Sequence, residues 1–127
     1  MEGYIDGGTR TFQEETAGAM TAKEYLFVKQ AAAANEVELC GAGEAALGVA
    51  QGKIHNDATD VPVRLLNAAG TVKVQLGATV ALGAKVMSDA NAKAITATAT
   101  NSVLGQALQA GVANDIIEII PQPATIL

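Results

Sequence analysis

Gly70-Thr71-Val72-Lys73-Val74-Gln75-Leu76-Gly77 is the stretch on which the fold turns. Val72, Val74 and Leu76 fall on one side of an extended chain, Lys73 and Gln75 on the other, and a glycine stands at each end. Side chains alternate across a strand with a period of two, so the pattern predicts a half-buried β-strand. The same period recurs in both directions. Toward the C-terminus, Asp115–Ile120 sets Ile117 and Ile119 against Ile116, Glu118 and Ile120. Toward the N-terminus, Val37 and Leu39 face away from Glu36 and Glu38, and Tyr25 and Phe27 alternate with Leu26 and Val28. Turn formers such as Asn67-Ala68-Ala69-Gly70 and Ser88-Asp89-Ala90-Asn91 separate these short runs. Ala31–Ala34 favours helix, but strand patterns bound it so closely that at most one turn fits. Pro121-Gln122-Pro123 is expected to stop the last strand, because neither proline can donate to a ladder. The expected fold is all-β, a small β-barrel or β-tulip-like domain over residues 23–127.

Residues 1–22 read differently. MEGYIDGGTRTFQEETAGAMTA is rich in Gly, Thr and Glu and lacks a sustained period. Each glycine inside a regular element costs roughly 0.5–1 kcal/mol. The segment is expected to be an extended N-terminal arm. An arm without a core of its own is ordered most cheaply on another subunit, and its large anchors are Tyr4, Ile5, Phe12 and Met20.

The composition explains why assembly would help. Of 127 residues, 26 are Ala and 13 are Gly, aromatics are only 3%, and Trp is absent. Apolar burial is worth about 25 cal/mol per Å², so a core of small side chains stabilises less than a Leu/Phe-rich one of equal length. The net charge is −5 and the eight Lys and Arg residues form no cluster. Nucleic acid is therefore not an expected partner, since such binding needs a basic footprint. No apolar run approaches the ~18 residues of a membrane helix. The start, Met1-Glu2-Gly3-Tyr4, has neither a basic nor an apolar region of a signal peptide, so synthesis in the cytoplasm is expected.

A weak internal repeat is present. Leu47-Gly48-Val49-Ala50 returns as Leu104-Gly105-Gln106-Ala107, 57 positions later. Asp60-Val61-Pro62-Val63-Arg64-Leu65-Leu66 is echoed 55 positions later by Asp115-Ile116-Ile117-Glu118-Ile119-Ile120. An Ala/Gly/Leu-rich chain also yields such matches by chance. A genuine repeat would imply a compact barrel whose halves contribute similar strand pairs.

Residues able to support chemistry are few. His55 is the only histidine, so one chain can build neither a histidine metal cluster nor a Ser-His-Asp triad. Asn56, Asp57 and Asp60 near it fall short of a Ca²⁺ loop. Cys40 follows Leu39 in an alternating strand and reads as a small core residue. Gly41-Ala42-Gly43-Glu44 lacks the Lys-Ser/Thr ending of a phosphate loop and reads as a turn. Glu14 and Glu15 are adjacent along the chain, not paired across a cleft. Lys93, in Asn91-Ala92-Lys93-Ala94, falls at a hairpin tip where lipoyl and biotinyl carriers present their lysine, but its neighbours depart from the carrier pattern. No catalytic site, cofactor or metal is expected.

From Leu47 onward the chain resembles the phage head decoration, or capsid cement, proteins. Leu47-Gly48-Val49-Ala50 is similar to their Gly-Val-Ala strand, and Thr71-Val72-Lys73-Val74-Gln75-Leu76-Gly77 follows it. Val80-Ala81-Leu82-Gly83-Ala84-Lys85-Val86-Met87-Ser88-Asp89 resembles their apolar–Gly–small–polar–Val–x–Ser/Thr–Asp segment. Val103–Gly111 through Ile116–Ile120 resembles their closing Gly-x-Ala, Ala-Gly and apolar strand. The resemblance implies a non-enzymatic homotrimer on the capsid exterior, binding the major capsid protein and stabilising the shell against internal DNA pressure. Another phage β-module, of tail tube or adhesion type, and a small carrier or ligand-binding barrel are the alternatives.

Overall fold

The computed structural model describes residues 9–14, 23–51, 60–67 and 70–126, the side chains of Thr9 and Asp60 excepted. Among these residues ten strands are formed: β1 Thr9–Glu14, β2 Phe27–Gln30, β3 Glu36–Leu39, β4 Gly48–Ala50, β5 Asp60–Leu65, β6 Val72–Gln75, β7 Lys85–Ser88, β8 Ala94–Thr96, β9 Ser102–Ala107 and β10 Ile116–Ile126. No helix occurs among the described residues. The all-β expectation holds. Val72, Val74 and Leu76 are buried, as are Ile117 and Ile119, while Lys73, Ile116 and Ile120 face solvent.

The ten strands are one five-strand unit built twice. The first is a closed barrel in the order β1-β3-β2-β4-β5, and the second a sheet in the order β6-β10-β9-β7-β8. Adding five to each label of the first ladder reproduces the second: β2 pairs β3, β4 pairs β2 and β5, and β5 pairs β1, all antiparallel. β7 pairs β8, β9 pairs β7 and β10, and β10 pairs β6, again antiparallel. The parallel β1–β3 pairing that closes the first barrel has its counterpart in the parallel bridge Leu76↔Ala94. The Leu-Gly-x-Ala part of the internal repeat, 57 positions apart, is therefore structural, whereas β5 and β10 match at a spacing of 56 and not 55, and each half forms a unit of its own instead of half of one barrel.

Backbone details follow the same equivalence. Tyr25 N–H donates to Ala50 O and Ala50 N–H to Leu26 O; Gly83 N–H donates to Ala107 O and Ala107 N–H to Ala84 O. Tyr25 (φ 64°) matches Gly83 (φ 83°), and Asn35 (φ 66°) matches Ala92 (φ 66°). Gly48 and Gly105 match as well. A Cβ at Gly48 would collide with Arg64 O, and one at Gly105 would lie 2.6 Å from Ile120 O. Only glycine lets the neighbouring strand come so close at these two points.

The two units are fused, not strung. One apolar cluster runs through both, from Leu26, Phe27, Cys40 and Val49 in the first to Val74, Leu76, Leu104 and Ile119 in the second. A smaller cluster of Phe12, Val28, Val37, Ala50, Val61 and Val63 fills the first barrel alone. Between β6 and β8 the first unit acts as a wedge: Gln75 N–H donates to Tyr25 O and Phe27 N–H to Ala92 O, both at 2.9 Å. At the matching seam of the first unit Gln13 N–H reaches Asn35 O directly, at 2.8 Å. The second unit thus borrows Tyr25–Phe27 to close.

Two expectations meet a different structure. Thr9–Glu14 is not part of a free arm but a strand of its own barrel, with Phe12 and Glu14 buried and Thr11 and Gln13 exposed. Arg10 holds it there, donating from Nη2 to Asn35 Oδ1 at 2.6 Å and lying 4.4 Å from the centre of the Phe12 ring. A boundary at residue 22 therefore separates β1 from the barrel it completes. The other arm anchors, Tyr4, Ile5 and Met20, lie outside the described residues. The last strand also continues through its prolines to Ile126. Glu118 O accepts from Leu108 N–H, so Glu118 and Ile120 turn their backbone groups toward β9, and Pro121 turns its nitrogen toward the β6 side. The β6 ladder ends opposite Ile119, so no β6 residue needs the missing donor. The register shifts between Pro121 and Thr125, which accommodates the second proline.

Candidate functional site

The residues singled out for chemistry do not converge. His55, Asn56, Asp57 and Glu15 lie outside the described residues, and Asp60 opens β5. Cys40 is buried in the shared core, and burial pushes its thiol above the usual range, which disfavours the reactive thiolate. The Gly41–Glu44 segment is a turn closed by its own glutamate: Glu44 Oε1 accepts from Gly41 N–H at 2.7 Å and pairs with Lys29 Nζ at 2.8 Å. The hydrogen bond from Lys29 holds the Glu44 carboxyl below its usual value, and the same bond raises Lys29. Lys93 does stand near the β7–β8 hairpin tip, but Asp89 Oδ1 fixes its backbone N–H at 2.9 Å and Nζ donates to Asn114 Oδ1 at 2.9 Å. Among the described residues no group of three or more His, Cys, Asp or Glu is placed to hold a metal, and no helix is long and apolar enough to cross a membrane.

A concave feature provided with polar groups lies where the two units meet. Tyr25, Gln51, Arg64, Thr71, Lys73 and Glu118 line a groove of about 260 Å³. Its one carboxylate, Glu118, accepts from Thr71 Oγ1 at 2.7 Å through Oε2. The lining holds no histidine, no thiol and no second acid. It is the seam between repeats, held by backbone bonds on both sides.

What remains is surface. The second unit exposes Leu82 (71%), Val112 (55%), Ile116 (49%), Ile120 (47%) and Leu108 (37%). Ile120 stands opposite Gln106 on the outer side of the β9–β10 ladder. Leu108 N–H bonds Glu118 O one step along, and the Leu82 loop is tied to the same strand through Gly83 N–H and Ala107 O. The sequence carried a sign of this face, because Ile116–Ile120 is apolar on both sides and not on one. A strand of that kind is ordinarily covered on both faces. Leu82 and Leu108 sit in loops and gave no periodic signal.

No family model matches the chain, and no curated protein matches it. A solved structure does: the head fibre gp8.5 N base of bacteriophage phi29, with a TM-score of 0.69 at 14% identity, covering 94% of this chain and 98% of that one. The likeness extends over both units, so this chain has the fold of a phage head fibre base.

Proposed function

We propose that the protein is a non-enzymatic structural component of a phage virion, carried on the outside of the head as a trimer, where it binds the major capsid protein and stabilises the shell. The observation that carries this reading is the end-to-end likeness to the head fibre base, in a chain whose described residues assemble no catalytic constellation. The acidic charge fits an exterior position, away from packaged DNA. The low aromatic content and small core fit a protein that gains stability from neighbours. The resemblance from Leu47 to Ile120 points to the same place on the particle.

Co-sedimentation with empty, expanded capsids tests the reading. The purified chain is expected to pellet with capsids saturably, and to raise the temperature at which they open. Binding to tail tubes but not to heads would favour the tail module instead. Binding to neither would end the proposal.

A further inference from the structure

Tyr25 occupies a backbone position that the second unit fills with glycine. It lies in the left-handed region at φ 64°, and its counterpart is Gly83 at φ 83°. A tyrosine there carries strain that glycine does not, and such strain persists where the side chain has a use. Core packing does not account for it. Of the three described aromatic residues, Phe12 and Phe27 are buried and Tyr25 alone is partly exposed. Tyr25 lines the groove between the units, and it also lines an adjoining hollow of about 410 Å³ that adds Gln109 and Ile116. Both hollows share Tyr25, Lys73 and Glu118, so they form one continuous groove. The larger falls in the range of about 300–1,000 Å³ that suits small ligands.

The groove presents directional polar groups. Glu118 engages Thr71 Oγ1 through Oε2, Gln51 donates from Nε2 to Val49 O, and Gln109 Oε1 accepts from Glu118 N–H. Among the described residues this leaves Glu118 Oε1, Gln51 Oε1, Gln109 Nε2, the Tyr25 hydroxyl and the Lys73 ammonium to the solvent. Lys73 stands directly opposite Glu118 in the β6–β10 ladder, yet the two form no ion pair. Arg64 reaches the same groove from the first unit, its Nη2 lying 3.1 Å from where a Cβ at Gly70 would stand. Two cations against one carboxylate make the groove locally positive in a chain of net charge −5. We infer that it binds an acidic saccharide. A sugar ring lies against Tyr25, its hydroxyls meet Gln51, Gln109 and Glu118, and its carboxylate or phosphate is held by Arg64 and Lys73. A tyrosine offers a sugar an apolar face and a hydrogen-bonding edge together. A wholly apolar ligand would strand the polar groups instead. The walls come from both units, which backbone bonds fuse, so the site is preformed.

The test screens the full chain against an array of uronate-bearing, phosphate-bearing and neutral oligosaccharides, then titrates the isotopically labelled chain with the best of each class and with tetraglutamate. An acidic sugar is expected to bind with a Kd on the order of 1 mM and to shift the amide resonances of Tyr25, Lys73 and Glu118. Neutral sugars and tetraglutamate, which lack the charge or the ring, should bind more weakly. Either anionic group satisfies the proposal, and the tighter of the two identifies it. Tyr25→Gly suits the backbone position, so it should keep the circular dichroism spectrum while weakening binding about tenfold. Lys73→Gln should weaken the acidic sugar by up to about fivefold and leave the neutral one unchanged. Lys85→Gln makes the same charge change on an exposed residue outside the groove and should bind like wild type. Absence of binding by every acidic sugar, equal binding of a neutral sugar or tetraglutamate, or binding that survives Tyr25→Gly would overturn the proposal. Loss of capsid co-sedimentation in Tyr25→Gly would overturn it too, by assigning the groove to the capsid contact.

Discussion

Replacing Gly105 by alanine probes the duplication at the point where it is most tightly specified. The new Cβ would stand 2.6 Å from Ile120 O and 2.9 Å from Ile119 Cδ1, where ordinary contact begins near 3.4 Å. The β10 backbone must then retreat by about 0.8 Å, an overpacking that ordinarily costs about 1–3 kcal/mol. Ile119 is fully buried in the shared core, so the retreat has no free direction. Alanine also narrows the unfolded ensemble, which returns about 0.4–1 kcal/mol. The net expectation is a loss of about 1.3 kcal/mol, or a urea midpoint lower by about 0.65 M for a slope of ~2 kcal/mol/M. Gly48→Ala should cost at least as much, because its Cβ meets Arg64 O more closely still. Gly83→Ala serves as the contrast. At φ 83° with nothing nearer than Gln106 Nε2 at 3.9 Å, it carries only left-handed backbone strain, about 1–2 kcal/mol. The measurement is urea unfolding followed by circular dichroism. A loss below about 0.5 kcal/mol at Gly105, or a large loss at only one of Gly48 and Gly105, would refute the equivalence of the two ladders.

Phe27→Ala empties a fully buried site in the cluster that spans both units, so it should cost about 3–5 kcal/mol. Calorimetry should still show one transition, because both units lose the same packing. Deleting residues 1–22 removes β1 and with it Phe12 from the first barrel, so the product should lose native near-ultraviolet and amide-exchange protection instead of remaining a folded domain. Cys40 should react with a thiol reagent far more slowly in the native protein than in urea, and Cys40→Ser should bind capsids like wild type. The Lys29–Glu44 pair stabilises only while both are charged. Its contribution is present above the unfolded pKa of Glu44 and fades as pH falls through the lowered folded value; at the alkaline end it is lost as pH rises through the raised pKa of Lys29. Wild type and Glu44→Gln should therefore differ in urea midpoint near neutral pH and converge in acid, and a constant offset would show that the charge plays no part.

The strands that alternate cleanly were legible in the sequence. Val72–Leu76 and Ile116–Ile120 bury the side chains their period assigns, and the glycines of the two Leu-Gly-x-Ala motifs turn out to be points of close strand approach. β1 was obscured because its six residues follow paired glycines, and its buried positions include Glu14, which read as solvent-facing. Glu14 occupies the position that Leu76 holds in the second unit, so hydrophobicity alone did not mark it. The prolines of β10 looked like a stop because the sequence does not reveal that β6 ends opposite Ile119. The wedge at Tyr25–Phe27 depends on a left-handed tyrosine, a conformation that residue seldom adopts and that no local pattern announces.

Cryo-electron microscopy of particles purified from cells that produce the protein tests the central claim most directly. Ordered density on the head exterior, into which the ten-strand fold fits in groups of three around one capsid site, is the expected result. Particles that lack the protein, or that hold it only inside the head or in the tail, would contradict the account.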